Sequence, residues 1–490
     1  MIRVALFVVF PCVLLGCSEH PPQPQPASVL LITVDTLRPD HLSAYGYRPQ
    51  QTPHIDSLAR DGALFEQAVC DVPWTTGSMA SVFTGQYASR HRVRLSTERL
   101  PDSYVTLAER LRDNGFTTGA IVGSFPLASI YNLNQGFQTY DEDFTMPMGP
   151  LPPGATQWLP VQKIPPRLSG SPEEMQEYFV KKVCNDAFRP DNEVTDRAVR
   201  WLTAHRGERF FLWVHYFGPH ERLNILQTWE AQSPRVIADY DPDLAFTDAQ
   251  IGRLLAAIDA MGLHQNLLVV LHADHGQSLG ENSYVGHGDN LYAASTHIPL
   301  LMRWPARIQP GQRVQQLAQN VDLLPTILSL RGIHTDEAFS GMDLSPWLAG
   351  AQTPAAPGAP RTLYSETYLA TIDPHQVTHP VYGPLQVRLS HHAIRHGDRM
   401  YILTEFHPPC HRADGSVLDP DECQRLSLEE FVDVAHDPQG AHNLIDAEAE
   451  QVGWYREQLA HERAAATAGA QHIELSPSQR ERLRALGYEH

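Results

Sequence analysis

Positive charge is what this chain is short of. Its 37 Lys and Arg are outnumbered by 56 Asp and Glu, a net charge of −19 over 490 residues. A chain this acidic lacks the basic face by which proteins hold nucleic acid. An anionic ligand would therefore have to be held by a metal ion or by local basic groups. Cysteine is scarce, with 6 in all, and the spacings do not form the sets of a zinc site. Long apolar runs are missing. The one run at the start, Ala5 to Leu15, is shorter than the roughly 20 residues a membrane-spanning helix needs. No internal repeat of useful length is present, which excludes a solenoid.

The beginning of the chain reads as a targeting segment. Arg3 supplies positive charge, Ala5 to Leu15 the apolar stretch, and Leu14-Leu15-Gly16-Cys17 resembles a bacterial lipobox. That resemblance implies that Cys17 is lipidated and becomes the first residue of the mature protein. A plain secretory signal is the alternative. Residues 1–17 are then the signal and 18–27 a Pro-rich tether, Pro21 to Pro26. The expected location is the periplasmic side of a bacterial envelope, anchored by lipid. Ser18, where an Asp would signal retention, implies the outer membrane. With Cys12 removed and Cys17 lipidated, Cys70, Cys184, Cys410 and Cys423 remain, an even set suited to an oxidising compartment. Cys410 and Cys423 flank a turn-rich loop and are expected to pair; Cys70 with Cys184 would complete the set.

Further on, strands and helices alternate. Ser28 to Val34 is a nearly continuous apolar run suited to a buried parallel strand, and Asp35 follows it. In open α/β sheets, ligands gather beyond the carboxyl ends of strands. Thr52-Pro53 opens a helix through Arg60, Thr106 to Asn114 is amphipathic with Gly115 as its stop, and Thr117 to Val122 is a strand. A Pro- and Gly-rich loop region runs from Asn134 to about Gly170. Val194 to His205 and Phe246 to Met261 are helical; Arg209 to His215, Leu267 to His272 and Ile298 to Arg303 are strands; Leu323 to Leu330 is a helix. This order predicts a large, mostly parallel sheet sandwiched by helices over 28–350. After a Pro/Ala-rich linker at 351–362, residues 363–490 form a smaller C-terminal unit. Its hairpin signal at His396-Gly397-Asp398-Arg399 and the polar helix at Glu448 to Ala468 predict an antiparallel sheet plus a helix.

The chemistry concentrates at three places. Val72-Pro73-Trp74-Thr75-Thr76-Gly77-Ser78-Met79 through Thr84-Gly85 reads as a turn that opens a short helix. A hydroxyl at such a start is most often an N-cap. It is also where a nucleophile faces unpaired N–H groups and the positive end of a helix dipole. Asp35, Asp274 and His275 lie at the ends of separate strands, and Asp and neutral His suit a divalent cation. A cation meeting the Thr75 oxygen would make its alkoxide accessible and neutralise an oxygen of a sulfate or phosphate ester.

At these residues the chain resembles the sulfatase family of the alkaline phosphatase superfamily. Val34-Asp35-Thr36-Leu37-Arg38-Pro39-Asp40-His41-Leu42 looks like the family's opening metal segment. Asp274-His275-Gly276 with Gly286-His287-Gly288 looks like its second. Tyr240-Asp241 through Leu255, Asp322-Leu323-Leu324-Pro325-Thr326, Asp437-Pro438 with Asn443-Leu444, and terminal Leu486-Gly487-Tyr488 follow in the family's order. The resemblance implies a hydrolase of anionic esters, of small molecules or glycans. It would use one divalent cation (Ca, Mg, Mn or Zn) held by Asp35, Asp274, His275 and the Thr75 oxygen. Thr75 would be the nucleophile, with His220 and His287 assisting.

The departures bear on mechanism. Family members commonly carry a Cys or Ser that becomes formylglycine, followed by Pro two positions on and Arg four on. Here those places hold Thr75, Gly77 and Met79, and Thr cannot form the aldehyde. Cys70 lacks Pro and Arg at these offsets. The start Pro73-Trp74-Thr75 resembles members with an unmodified Thr, which usually act on phosphoryl groups. Phosphate esters are therefore expected to serve at least as well as sulfate esters. Gly218 stands where the family often has Asp before Pro219-His220, which favours one metal. His91 is followed by Arg92 instead of Gly, and Thr36 replaces a second Asp ligand. His41, Asp40 and His297 read as structural. Two competing classes are a phosphodiesterase or phosphotransferase, and an inactive sulfatase-like surface protein that binds anionic glycans. Substrate, metal identity and oligomeric state are not legible in the sequence. The lipobox reading is tested by Cys17→Ala, which should leave an unlipidated precursor; full membrane fractionation with lipid label retained would refute it.

Overall fold

A computed structural model describes residues 27–144, 187–220, 235–281, 284–348, 361–371, 375–466, 469–486 and 488. The targeting segment and tether, Cys184, and most of both the expected 134–170 loop and the linker lie outside the described residues.

The centre of the molecule is strand β1 (Ser28–Val34), buried at all seven positions. A strand apolar on both faces needs cover on both, and here helices supply it. The remaining strands of this sheet are β2 (Ala63–Val69), β3 (Thr117–Ile121), β4 (Thr139–Asp141), β5 (Phe210–Tyr216), β6 (Leu267–Ala273), β7 (His297–Arg303), β8 (Gln312–Val314) and β9 (Ala318–Gln319). The order is β8–β2–β7–β6–β1–β5–β3–β4, with β9 also on β2. All pairs are parallel except those of β7, which runs against β6 and β2. The covering helices include α1 (Pro53–Arg60), α2 (Thr75–Thr84), α3 (Leu107–Asp113), α4 (Asp191–His205), α5 (Arg235–Ala260) and α6 (Leu323–Leu330).

Two corrections concern this layer. Asn134 to Asp141 is not all loop, because β4 adds to the sheet edge beside β3. Helix α5 begins at Arg235, well before Phe246, and carries Pro242 inside it. The polar Asp241 and Asp243 on either side of that proline hide the helical period in the sequence.

The second sheet is antiparallel: β10 (Thr362–Thr367), β11 (His375–His379), β12 (Gly383–His396), β13 (Arg399–Arg412) and β14 (Ser427–Asp433), in the order β10–β12–β13–β14 with β11 also on β12. Strands β12 and β13 meet at the expected two-residue Gly397-Asp398 turn. Cys410 and Cys423 are disulfide-bonded, as expected. Cys184, the partner expected for Cys70, lies outside the described residues; Cys70 itself is a buried free thiol that donates to the Ser295 carbonyl at 3.7 Å. Helix α7 (Ala449–Ala464) packs on this sheet, and α8 (Pro477–Ala485) returns to the large one through Leu483 and Leu486 in its core. Among the described residues no helix is long and apolar enough to cross a membrane.

The two sheets are tied at Asp322, which precedes α6 and is fully buried. Its Oδ2 accepts from Gln319 N at 2.7 Å and its Oδ1 from Met342 N at 2.8 Å. Arg361, just before β10, donates to both oxygens at 2.5 and 2.6 Å. Removing one partner of such a pair strands the other charge in a dry interior. Asp322→Ala should therefore lower unfolding stability by about 3–5 kcal/mol. A loss below about 1 kcal/mol, the scale of a surface pair, would contradict this.

Candidate active site

Strand register brings the site's carboxylates together. Val34 is paired with Ala273 on one side and with Tyr216 on the other. The next residues, Asp35 and Asp274, thus leave adjacent parallel strands at the same level. Asp35 N continues the ladder to Tyr216 O at 3.0 Å. Both carboxylates are fully buried. Burial, then the charge of Asp274, raises the Asp35 pKa well above the usual carboxylate range. Burial raises that of Asp274, against the opposing pull of His275.

His275 completes the group. Its Nε2 lies 3.7 Å from Asp35 Oδ1 and 3.5 Å from Asp274 Oδ2. Its Nδ1 is 2.9 Å from the Gly276 carbonyl. A carbonyl only accepts, so Nδ1 carries the proton and Nε2 presents a lone pair. Asp35, Asp274 and His275 offer ligand atoms all within 4.8 Å of one another. Neither carboxylate oxygen of Asp35, nor Asp274 Oδ2, has a hydrogen-bond partner among the described residues.

Thr75 is delivered by α2. Its preceding residue, Trp74, takes the N-cap position with extended backbone and makes no side-chain cap bond. Thr75 is therefore not the cap. Its Oγ1 lies 3.2 Å from His275 Nε2 and 2.6 Å from the Tyr488 hydroxyl. The helix ends at Gly85, in the left-handed region at φ 64°. Gly77, at the family's Pro position, is dictated by packing: a Cβ there would stand 2.8 Å from Trp74 Nε1. Met79, at the family's Arg position, is fully buried, with its sulfur 3.9 Å from the Thr33 hydroxyl. Ser78 fastens the helix to the strand end, donating to Asp274 O at 2.6 Å.

Histidines flank this centre. The His287 ring lies tilted against His275, centroids 4.4 Å apart, and its Nε2 is 3.0 Å from His220 Nε2. Burial, with His275 and His220 beside it, holds the His287 pKa well below its usual value. His220 is buried and stacks on Phe217 at 4.5 Å. All six residues singled out for metal and catalysis are thus gathered at one point.

The remaining candidates stand elsewhere. His91 Nε2 bonds Ser81 Oγ at 2.8 Å, and Ser81 donates to buried Asp71, a structural network. His41 pairs with Asp241, Asp40 with Arg38, and His297 with the Glu66 carbonyl. Thr36 sits at φ 55°, a strained place for a β-branched residue. It is held there by its N–H to Asp274 Oδ1 and its carbonyl to the Tyr240 hydroxyl.

Two site residues escaped sequence reasoning. His215 Nε2 is 3.7 Å from Asp35 Oδ2. Burial pushes its pKa down to about 3, so it stays neutral. It hides in the apolar run of β5, where alternation signals burial and not an approach to a carboxylate. Tyr488 was legible only as part of a terminal motif.

The match to known proteins agrees with this geometry. Residues 27–333 match the family model described as Sulfatase. The chain is 28% identical to a steryl-sulfatase of Rattus norvegicus over 419 residues, 68% of this chain and 72% of that protein. In fold it is similar to a protein solved with its substrate D-glucosamine-2-N,6-O-disulfate (TM-score 0.62, 17% identity, 90% and 97% of the two chains). It is also similar to the phosphonate monoester hydrolase of Agrobacterium radiobacter (TM-score 0.62, 20% identity, 90% and 96%). With the family model spanning more than half of its length, the chain belongs to the sulfatase family and is a sulfatase-like ester hydrolase.

Proposed function

We propose that this chain cleaves sulfate or phosphate esters through a covalent intermediate on Thr75, with one divalent cation held by Asp35, Asp274 and His275. The observation that carries the reading is the Thr75 hydroxyl at 3.2 Å from His275 Nε2, beside two carboxylates with unpartnered buried oxygens. Two carboxylates and one imidazole nitrogen are a donor set for a hard or borderline ion: Mg, Ca, Mn or Zn. An ion held there would offset the carboxylates and supply Lewis-acid polarisation of an ester oxygen, and the Thr75 oxygen would be a further ligand.

The chain's own groups account for the rest. The first N–H groups of α2 have no partners within the helix and face the region before Thr75, which favours an anion there. Thr75 Oγ1 attacks sulfur or phosphorus as its proton passes to the His220–His287 pair, and the ester's alkoxide departs. His220 and His287 share a proton between their Nε2 atoms, and the imidazole bearing it hands it to the departing oxygen.

Thr75 has one hydroxyl, whereas an aldehyde hydrate has two and expels sulfate by elimination. The Thr75 adduct is instead broken by water or another acceptor at sulfur or phosphorus. This supports phosphate esters, diesters included, as substrates at least equal to sulfate esters. Burial of Met79 in the core supports the same view, because no guanidinium stands at the family's Arg position. The chain's start supports a lipid anchor at Cys17 on the periplasmic side.

Thr75→Ala should abolish turnover of sulfate monoesters, phosphate monoesters and phosphate diesters while metal content stays at the parent level; full activity would overturn the mechanism. Asp274→Asn should lower metal content and activity together. Parent metal content in that variant, or activity untouched by a chelator, would overturn the metal assignment. A strict preference of the parent for sulfate monoesters would overturn the substrate argument.

A further inference from the structure

The end of the chain reaches the nucleophile. Tyr488 is buried, and its hydroxyl lies 2.6 Å from Thr75 Oγ1, across a separation of 413 residues. The position is built. Leu483 and Leu486 are buried in the main core, and the N–H groups of Leu486 and Tyr488 both bond Leu483 O at 3.0 Å. Arg482 lies over Phe125 at 5.3 Å. The turn Phe125–Leu127 is tied in turn to the start of α2, because Thr76 Oγ1 donates to Pro126 O at 2.6 Å. One turn thus braces both the helix that carries Thr75 and the tail that carries Tyr488.

In the resting chain either hydroxyl can donate across this contact. In a covalent adduct the Thr75 oxygen carries no hydrogen and can only accept, so there the phenol is the donor. Its ring makes an edge contact with Trp74 at 6.3 Å and a tilted one with His287 at 5.2 Å, which a phenylalanine would keep. Only the hydroxyl speaks to Thr75.

We propose that Tyr488 is a catalytic residue whose hydroxyl stabilises the Thr75 oxygen as it leaves the covalent adduct. The proposal rests on Thr75 being the nucleophile. A hydrogen bond donated to an oxygen makes it a weaker nucleophile and a better leaving group, so the contribution falls in the second half of the reaction. There, water attacks sulfur or phosphorus and forms the new bond. The bond to Thr75 Oγ1 breaks, and its electron pair stays on that oxygen. The proton lost by water passes to the His220–His287 pair and from there returns to Oγ1. The Tyr488 proton stays on the phenol throughout.

The test compares the full chain with Tyr488→Phe and Thr75→Ala on para-nitrophenyl sulfate and bis(para-nitrophenyl) phosphate. For whichever probe the parent cleaves faster, Tyr488→Phe should lower kcat by about ten- to a hundredfold, the scale of one hydrogen bond to a charged oxygen. Release of para-nitrophenol should begin with a burst approaching one equivalent per chain. Mass spectrometry of quenched protein should find the adduct on the Thr75 peptide at higher occupancy than in the parent. Metal content and Tm should match the parent, which separates this from a folding defect. Parent-like kcat, or a fall in kcat without burst or added adduct, would overturn the role of Tyr488 while the parent's own Thr75 adduct still stood. Full turnover by Thr75→Ala would overturn both.

Discussion

Two carboxylates buried side by side are the constraint on which the rest of the site depends. Asp35 and Asp274 extend adjacent parallel strands whose register puts them level. Burial and their mutual repulsion both resist ionisation. A fold that puts two acids in the same dry place either protonates them or holds a cation between them. His275, with its proton fixed on the far nitrogen, turns a lone pair to the same point. The strand order, the Ser78 anchor to Asp274 O and the strained Thr36 backbone all serve to keep this point in place.

The rest of the site is nearly free of fixed positive charge. Two of the histidines around it are held neutral by burial: His215 is pushed down to about 3, and His287 well below its usual value. Where the family has an arginine, Met79 faces the core instead. In the proposed mechanism, charge balance at the reacting centre therefore falls to the proposed cation, to helix N–H groups and to hydrogen bonds donated by neutral side chains. Tyr488 belongs to this last class. Its hydroxyl lies close to two carboxylates, which together with burial keep the phenol protonated and so a donor.

Much of this was legible from short stretches of sequence. The apolar strand runs predicted the sheet, and carboxylates at strand ends predicted the cluster, because local pattern and ligand position are linked in α/β folds. Thr75, Asp35, Asp274, His275, His220 and His287 do converge. What stayed hidden depends on contacts between distant segments. His215 reads as one more buried strand residue until register sets it beside Asp35. Tyr488 is legible only as part of a terminal motif, because the Phe125–Leu127 turn and the core seats of Leu483 and Leu486 decide where its side chain lies. Counting cysteines says nothing of the Ser295 carbonyl that accepts from the Cys70 thiol. The early start of α5 was masked by Pro242 and its acidic neighbours.

The central claim is that the buried carboxylate pair is a cation site. The most direct measurement is the Tm of chelator-treated protein at neutral pH as each of Mg, Ca, Mn and Zn is added back. Binding confined to the folded chain raises Tm with ion concentration. The account predicts that at least one of these ions raises Tm and saturates at one equivalent per chain. A Tm that does not respond to chelator or to any of the four ions would contradict it.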